Sequence, residues 1–318
     1  MIRVIHGDCR EILPTLDAGS VQCCVTSPPY YGLRAYLPDG HPDKHRELGA
    51  EPTPDAYIAE LVAVFREVRR VLRDDGCVFL NLGDSYANAS PARMLTQSGP
   101  AARPCHTQTA LPATSIPLGY KPKDLLMMPA RVALALQADG WWLRSAITWC
   151  KGNPMPESCE DRPTSATEMI YLLTKRPRYF YDALAIAEDA VSDHPSGNGY
   201  KRGARLSYAD SDGARGNDEQ WNGIGGKRNA RNWWLINSKP YPAAHFATFP
   251  PELAERCIRA GSRPGDVVLD PFGGAGTTGL VADRLGRHAT LIELSPSYTS
   301  MASARIVDDC PLFAEVAD

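Results

Sequence analysis

The alternation of apolar runs and amphipathic stretches along the chain predicts a regular succession of strands and helices. Short apolar strands are expected at residues 3–6, 21–25, 77–82, 142–149, 168–173, 267–269 and 288–292. Apolar positions at helical spacing predict helices over residues 10–16, 53–72, 124–139, 250–260 and 277–285, with Gly140, Gly261 and Gly286 ending three of them. Strands that alternate with helices are typical of an α/β domain with a mostly parallel sheet.

Two stretches lack this periodicity. Residues 87–120 are rich in Ala, Ser, Thr, Pro and Gln, which predicts an inserted mobile loop. Residues 188–232 are rich in Gly, Asn and Arg and interleave basic with aromatic side chains. Acidic residues also occur there, so a plain solvated loop is an alternative. The chain is thus divided into residues 1–187, 188–232 and 233–318, of which the first and last form two halves of one domain.

Composition and charge limit the class of protein. With 43% hydrophobic residues among 318, the chain can build a large core. A net charge of -3 argues against a uniformly basic surface, so contact with nucleic acid would have to come from local patches. The charged N-terminus and the lack of a run of about 18 apolar residues predict a cytoplasmic protein without a membrane span. Nine cysteines without a CxxC pair predict reduced thiols, and no metal is expected.

The turn after the second predicted strand combines several chemical features. Its residues are Thr26, Ser27, Pro28, Pro29 and Tyr30. Prolines donate no N–H, so the turn presents carbonyl acceptors, and the Ser27 hydroxyl adds a further acceptor. These acceptors suit an amine donor, and the Tyr30 ring offers a face to a planar heterocycle. Taken alone, the motif also fits a strand followed by an extended proline turn.

A glycine-rich turn follows the strand at residues 267–269. It runs Asp270-Pro271-Phe272-Gly273-Gly274-Ala275-Gly276-Thr277-Thr278 and leads into a helix, and Glu293 ends the next strand. Glycines let the backbone approach a ligand, and an acidic residue at the next strand end can hold ribose hydroxyls. Residues 274–279 also spell GxGxxG, which leaves an NAD site as an alternative. Asp270 argues against an NAD site, because the carboxylate charge would repel a pyrophosphate and attract an amino or sulfonium group.

The position of the glycine-rich turn predicts how the sheet is completed. Too few residues follow Glu293 to supply the missing strands, so these must come from the N-terminal half. We therefore expect Asp8, Ser27 and the glycine-rich turn side by side at the carboxyl edge of one sheet, where the strand order reverses.

With four further motifs, the two turns resemble the amino-methylating DNA methyltransferases of the permuted (beta) order. The four are GDSY at residues 83–86, WCKGNPMPE at 149–157, RPT at 162–164 and HFATFP at 245–250. The resemblance covers most of the chain. It implies a doubly wound, seven-stranded S-adenosylmethionine-dependent methyltransferase fold, circularly permuted, with a target-recognition region at residues 188–232. Residues 1–187 would be its catalytic half, and residues 233–318 its cofactor-binding half.

The resemblance also implies which residues bind S-adenosyl-L-methionine. Asp8 should contact the adenine end of the cofactor, and Glu293 its ribose. The methionine and ribose pocket should be shaped by Phe272, Gly274 and Gly276, with His245 and Phe249 at the amino-acid end. The other expected contacts are Thr26, Asp270, Pro271, Thr277 and Thr278.

The implied activity is site-specific methylation of double-stranded DNA at the exocyclic N4 of cytosine, with N6 of adenine as the alternative. Ser27 favours cytosine, because adenine-specific members usually carry Asp or Asn at this position. The flipped base would stack on Tyr30 and donate its amine hydrogens to Ser27 Oγ and the Pro28 carbonyl, and direct displacement would follow. Expected catalytic residues are Ser27, Pro28, Pro29 and Tyr30, and expected DNA contacts are Lys151, Asn153, Arg202, Arg205, Arg215, Lys227, Arg228 and Arg231.

Two other functions compete with this one: an NAD-linked oxidoreductase built on the GxGxxG, and an inactive DNA-binding module. The intact catalytic and cofactor motifs disfavour the inactive module. Pro104-Cys105 matches the nucleophile motif of cytosine-C5 enzymes in letters, but it lies in the predicted insertion, far from any strand end. The resemblance further implies a bacterial or phage-encoded, nucleoid-associated protein of restriction-modification systems. A separately acting restriction endonuclease and a homodimer are open as partners.

Overall fold

A nine-stranded sheet organises the computed structural model, which describes residues 1–33, 36–38, 40–87, 119–189, 227–239, 249–309 and 316–317. The strands are β1 (Ile2–His6), β2 (Val21–Thr26), β3 (Leu72–Leu82), β4 (Trp142–Cys150), β5 (Thr167–Thr174), β6 (Glu188–Asp189), β7 (Lys227–Arg228), β8 (Trp233–Leu235), β9 (Val267–Asp270), β10 (His288–Glu293) and β11 (Val316–Ala317). The helices are α1 (Cys9–Ile12), α2 (Pro54–Val71), α3 (Met128–Ala138), α4 (Pro251–Gly261), α5 (Thr277–Arg284) and α6 (Pro296–Asp309). Short 3-10 helices cover Leu13–Thr15 and Pro42–Arg46.

The strand order in the sheet is β11-β1-β10-β9-β2-β3-β5-β4-β8. All seven predicted strands are present, and the short strands β8 and β11 extend the two edges. The strands from β11 to β3 are parallel to their neighbours, whereas β5 is antiparallel to both β3 and β4. β6 and β7 pair separately as a two-stranded sheet. The predicted α/β class is confirmed.

Segments from the two ends of the chain meet at the centre of the sheet. β2 pairs with β9, with Cys24 opposite Leu269. From β9 the chain passes through α5 to β10 on one side, and from β2 it passes through α2 to β3 on the other side. Because the connections leave in opposite directions, a crevice opens at the carboxyl ends of β2 and β9. The predicted reversal of strand order therefore lies between the two turns.

Helices cover both faces of the sheet, as the apolar strands require. On one face, Tyr57, Phe65 and Val68 of α2 are buried in a cluster that also includes residues of α3. On the other face, Leu253 and Ile258 of α4 are buried with residues of α5 and α6. α2 and α4 thus each bury one apolar stripe against the sheet, which holds the strand ends that form the crevice in fixed positions.

The starts of two elements differ from the prediction by several residues. β3 begins at Leu72, directly after α2, rather than at residue 77, and its register against β2 is irregular between Val21 and Cys23. α3 begins at Met128 rather than at residue 124. Met127, inside the predicted range, has a positive φ angle of 55°, which an α-helix cannot contain.

Gly261 is the last residue of α4 and does not stop the helix before it, contrary to the prediction. A Cβ at this position would lie 2.6 Å from Cys23 Sγ and 2.8 Å from Cys77 Sγ. The glycine therefore lets α4 lie close to the sheet. The seven cysteines in the described part of the chain are free thiols. No helix in these ranges is long and apolar enough to cross a membrane.

Candidate active site

A cavity of about 2110 Å³ opens at the carboxyl ends of the parallel strands. Its lining includes Asp8 after β1, the turn from Ser27 to Tyr30 after β2, and Gly83 after β3. It also includes the segment from Pro271 to Ala275 after β9, and Glu293 at the end of β10. The structure thus brings the two turns, which are far apart in sequence, to the walls of one cavity.

The turn after β2 is held in place by its neighbours. The Tyr57 hydroxyl donates a 2.7 Å hydrogen bond to the carbonyl of Pro29. The ring of Tyr30 packs on Gly83, where an added Cβ would lie only 2.5 Å from the ring atom Cε2. A glycine is therefore needed at the start of the GDSY motif for Tyr30 to keep this position.

A chain of hydrogen bonds leads from the turn to a carboxylate. Ser27 Oγ donates to the Tyr30 hydroxyl at 3.2 Å, and that hydroxyl donates to Glu168 Oε2 at 2.5 Å. Asn81 Nδ2 lies 2.9 Å from the Tyr30 oxygen and 2.8 Å from Glu168 Oε2. Lys151 pairs with the other oxygen of Glu168. The polar groups behind Ser27 therefore form one connected network.

Asn81 and Glu168 were not predicted as site residues. Asn81 is the single polar residue of the apolar run at residues 77–82, and that signal could have identified it. Glu168 lies near the start of β5, and it reaches the cavity because β5 is antiparallel to β3. The sequence does not reveal the direction of this strand, so it offered no reason to place Glu168 beside the turn.

The glycine-rich turn uses two left-handed residues. Gly274 and Gly276 have φ angles of 50° and 77°, which side chains disfavour. Glu293 fixes the turn, because its Oε2 accepts the Gly274 N–H at 2.8 Å and its Oε1 accepts the Ser295 N–H at 2.8 Å. Burial raises the pKa of Glu293 above its ordinary value. A carboxylate with both oxygens anchored is thus presented at the cavity wall.

Asp270 lies beneath this wall and is 1% exposed. One of its oxygens accepts from the Thr26 hydroxyl at 2.7 Å and the Phe272 N–H at 3.1 Å, and the other accepts from the Thr278 hydroxyl at 2.7 Å. Burial raises the pKa of Asp270 to about 6. We expected this carboxylate to attract a charged ligand, but the structure uses both oxygens internally. Asp270 therefore positions the turn.

Asp8, which follows β1, is held by two arginines. Arg10 donates to both carboxylate oxygens at 2.7 to 3.2 Å, and Arg46 Nε lies 3.2 Å from Oδ2. Burial opposes ionisation of Asp8, but the hydrogen bonds and charges of the arginines outweigh it and lower the pKa. The carboxylate is therefore ionised and oriented.

The predicted cofactor contacts separate into two groups. The cavity is lined by Asp8, Phe249, Pro271, Phe272, Gly274, Thr277 and Glu293. Thr26, Asp270, Gly276 and Thr278 lie outside this lining and support the turn from below. His245 lies outside the described residues. The cavity wall thus carries the carboxylates of Asp8 and Glu293 and the rings of Phe249 and Phe272.

The predicted DNA contacts that the structure describes all have protein partners. Lys151 pairs with Glu168, and Asn153 exchanges hydrogen bonds of 3.0 and 2.8 Å with the backbone of Ser238. The cations of the β6–β7 segment are also paired: Lys227 with Asp189, and Arg228 and Arg231 with Glu188. Arg202, Arg205, Arg215 and Pro104-Cys105 lie outside the described residues. Contact with DNA stays a prediction for the described residues Lys151, Asn153, Lys227, Arg228 and Arg231.

Comparison with known proteins gives a consistent result. The DNA methylase family N6_N4_Mtase matches residues 21–304. The Type II methyltransferase M.XycI from Xanthomonas campestris pv. cyanopsidis is 42% identical over 303 residues, covering 95% of this chain and 87% of that protein. The Type II methyltransferase M.SmaI from Serratia marcescens is 42% identical over 305 residues, covering 96% of this chain and 90% of that protein.

Solved structures share the fold. A putative DNA modification methylase from Thermus thermophilus, in complex with S-adenosyl-L-methionine, has a TM-score of 0.60 and 25% identity, covering 100% of this chain and 98% of that one. The PvuII DNA methyltransferase, which is cytosine-N4-specific, has a TM-score of 0.62 at 18% identity, covering 97% and 91%, and this likeness concerns the fold alone. These matches favour a methyltransferase over an NAD-linked oxidoreductase. The chain belongs to the N6_N4_Mtase family of DNA methylases, which use S-adenosyl-L-methionine as methyl donor.

Proposed function

We propose that this DNA methylase is a site-specific Type II enzyme that methylates the exocyclic N4 of cytosine in double-stranded DNA. The Type II relatives, at 42% identity over nearly the whole chain, support the reaction class. The observation that supports cytosine rather than adenine as the target is the Ser27 hydroxyl, which lines the cavity at the end of β2. Family members that act on adenine usually carry Asp or Asn there, and N6 of adenine is the alternative product.

The residues around the cavity fit S-adenosyl-L-methionine. The anchored carboxylate of Glu293 can accept ribose hydroxyls, and the Phe272 and Phe249 rings provide apolar contacts for the rest of the molecule. The oriented carboxylate of Asp8 would lie at the adenine end. When bound, the cofactor supplies a methyl group on a positively charged sulfur, which a nitrogen lone pair can displace.

The turn after β2 would prepare the target amine. An exocyclic aromatic amine is a poor nucleophile, because its lone pair is delocalised into the ring. Ser27 Oγ and the Pro28 carbonyl would each accept one amine hydrogen, which favours a pyramidal nitrogen with a localised lone pair. The Pro29 carbonyl already accepts from Tyr57, so the Pro28 carbonyl is the acceptor in this proposal. The proton can leave after methyl transfer, so no strong base is required.

The base would reach this turn by rotating out of the double helix and stacking on Tyr30. We also propose residues 188–232 as the target-recognition region, between the catalytic half (1–187) and the cofactor-binding half (233–318). The cations described there, Lys227, Arg228 and Arg231, would exchange their carboxylate partners for phosphates or guanine edges. A restriction-modification role would place the protein beside the nucleoid in the bacterial cytoplasm.

The proposal is tested by mass spectrometry of nucleosides from the DNA of a methylation-deficient host that expresses the protein. We expect N4-methylcytosine, and sequencing of the modified positions should give one defined site. N6-methyladenine instead would replace the target assignment, and an absence of any methylated nucleoside would contradict the activity.

Two variants link the product to the turn. Ser27→Ala and Tyr30→Ala should each greatly reduce methyl transfer to the mapped site, because they remove the acceptor and the stacking ring. Calorimetry with S-adenosyl-L-methionine verifies that each variant still folds, and NAD should not bind to the wild type. Near wild-type turnover in both variants would contradict the mechanism.

A further inference from the structure

The hydrogen bonds from Ser27 to Glu168 have a fixed direction. A carboxylate only accepts, so the Tyr30 hydroxyl must donate its hydrogen to Glu168 Oε2, at 2.5 Å. The Tyr30 oxygen can then only accept from Ser27 Oγ, at 3.2 Å, and from Asn81 Nδ2, at 2.9 Å. The hydrogen of Ser27 is thus directed at Tyr30. Asn81 Nδ2 also lies 3.3 Å from Ser27 Oγ and occupies one of its acceptor positions, so a second one remains for a ligand.

Asn81 supports the same direction. Its side chain is buried, 2% exposed, and Nδ2 lies 2.8 Å from Glu168 Oε2. The amide nitrogen must face Glu168, because the amide oxygen in that place would face a carboxylate oxygen. Asn81 Oδ1 is left without a hydrogen-bond partner among the described residues. A buried acceptor is therefore left unsatisfied while the donor is directed at the network, and such an arrangement is rare in native proteins.

Lys151 and the burial of Tyr30 keep the hydrogen bonds between Ser27, Tyr30 and Glu168 in one direction. Lys151 pairs with Glu168 Oε1, and its Nζ lies 4.9 Å from the centroid of the Trp149 ring. The second carboxylate oxygen is thereby left for Tyr30 and Asn81. Burial, and then the charge of Glu168, raises the pKa of Tyr30 well above its ordinary value. The phenol therefore keeps the hydrogen that it donates.

We propose that Glu168 is a positioning residue that acts through Tyr30 to make Ser27 Oγ a hydrogen-bond acceptor toward the target base. This inference rests on the proposed function of the turn. A base that presents an amine at this point gains a hydrogen bond, whereas a base with a carbonyl oxygen there meets a second acceptor. Glu168 would therefore help to distinguish the amine of cytosine from the carbonyl of uracil or thymine. Lys151, predicted as a DNA contact, serves in this account as the counter-ion of Glu168.

The principal test is Glu168→Gln, measured by single-turnover methyl transfer to a duplex that carries the mapped site. Glutamine keeps the size of the side chain, but its amide can donate to Tyr30 and so removes the fixed direction. We expect the rate at saturating cofactor and DNA to fall about tenfold to a hundredfold, the range for a hydrogen bond to a charged group. The Kd for S-adenosyl-L-methionine should stay within about twofold of wild type.

The control is Glu255→Gln, which removes an exposed ion pair with Arg259 on α4 and should leave the rate unchanged. An unchanged rate in Glu168→Gln would overturn the proposal. If Glu168→Gln fails to bind the cofactor, Tyr30→Phe replaces it, because it interrupts the same chain and leaves Lys151 and Asn81 around Glu168. Tyr30→Phe must then show the same loss of rate, or the proposal fails.

A double-mutant cycle separates positioning from a purely structural ion pair. If Glu168 acts through Tyr30, adding Glu168→Gln to Tyr30→Phe should reduce the rate by no more than about twofold further. If Glu168 only holds the fold, the two losses should multiply, and the proposal is overturned.

A modified duplex tests the discrimination itself. The duplex carries uracil in place of the target cytosine, so that a carbonyl replaces the amine. Uracil opposite guanine is mispaired and flips more easily in both proteins, so the quantity compared is the ratio of the Kd for the uracil duplex to the Kd for the cytosine duplex. Glu168→Gln should lower this ratio by about tenfold or more relative to wild type. An equal preference in wild type and variant would contradict the inference. If the wild type forms N6-methyladenine, the cytosine assignment fails separately, and the same comparison is made with hypoxanthine in place of adenine.

Discussion

The hydroxyl of Thr26 donates a 2.7 Å hydrogen bond to the carboxylate of Asp270, across 244 positions of sequence. Thr26 ends β2 and immediately precedes Ser27, whereas Asp270 ends β9 and immediately precedes the glycine-rich turn. This buried contact therefore connects the segment proposed to hold the target amine with the segment proposed to hold the methyl donor. Thr278 at the start of α5 binds the other oxygen of Asp270, so the helix is fixed by the same carboxylate.

Thr26→Val should destabilise the fold. Valine has nearly the same shape, but it leaves one oxygen of the buried Asp270 carboxylate without its hydroxyl donor, and we expect the free energy of unfolding to fall by about 1–3 kcal/mol. Urea denaturation of wild type and variant measures this difference in the free energy of unfolding. The matched control is Thr15→Val, whose exposed hydroxyl bonds the Ile12 carbonyl and which should cost less than about 0.5 kcal/mol. Equal effects of the two substitutions would show that the contact contributes little.

Asp270 should also make stability depend on pH. Its pKa is about 6 in the folded chain and 3.8 for an ordinary Asp, so the folded state binds the proton more tightly. The resulting stabilisation is complete below about pH 4 and is lost as the pH rises through about 6. The free energy of unfolding of Asp270→Asn, minus that of wild type, should rise by roughly 2 kcal/mol between about pH 4 and about pH 7. A difference that does not change with pH would contradict this.

Alanine substitutions at Gly276 and Gly286 measure how much backbone strain and steric overlap each lower the free energy of unfolding. Gly276 and Gly286 have similar φ angles of 77° and 70°, but a Cβ at Gly276 would lie 2.8 Å from Ala302 Cβ, whereas nothing lies within 4 Å at Gly286. Gly286→Ala should destabilise by about 1–2 kcal/mol through strain alone. Gly276→Ala should cost about 1–3 kcal/mol more, because α6 must move. Urea denaturation of both variants tests the difference, and equal losses would contradict the contact.

Hydrophobic periodicity predicted the seven main strands correctly. Buried parallel strands such as β9 and β10 read as apolar runs, because both of their faces are covered. It also placed the two turns at one sheet edge, since β-α-β connections leave few alternatives once the cofactor turn comes late in the chain. Local signals were less reliable at boundaries. Gly261 looked like a helix stop, but its function is close packing on Cys23 and Cys77, which only the folded sheet reveals.

The polar network behind Ser27 could not be predicted in the same way. Glu168 lies on β5, and its partner Lys151 directly follows the antiparallel neighbour β4. Glu168 meets Tyr30 only because β5 runs against β3. Similarly, Asp270 was expected to face a ligand, and only its three donors show that it is directed inward. Sequence identifies acidic residues near a site, but the direction of a side chain follows from packing.

Glu293 provides the sharpest test of the cofactor pocket. Its two oxygens accept the N–H groups of Gly274 and Ser295, so the carboxylate orders the glycine-rich turn and would also face the ribose. In Glu293→Gln one oxygen becomes an amide that cannot accept, and either the turn or the ribose loses an acceptor. We expect the Kd for S-adenosyl-L-methionine, measured by calorimetry, to rise about tenfold to a hundredfold.

The control for this variant is Glu252→Gln on α4, which removes an exposed pair with Arg256 and should leave the Kd unchanged. Binding to the mapped duplex should be equal in the two variants, because Glu293 lies with the cofactor turn and not with the turn after β2. A wild-type Kd in Glu293→Gln would mean that the cofactor lies elsewhere in the cavity. A parallel loss of cofactor and DNA binding would instead mean that the substitution disturbs the fold.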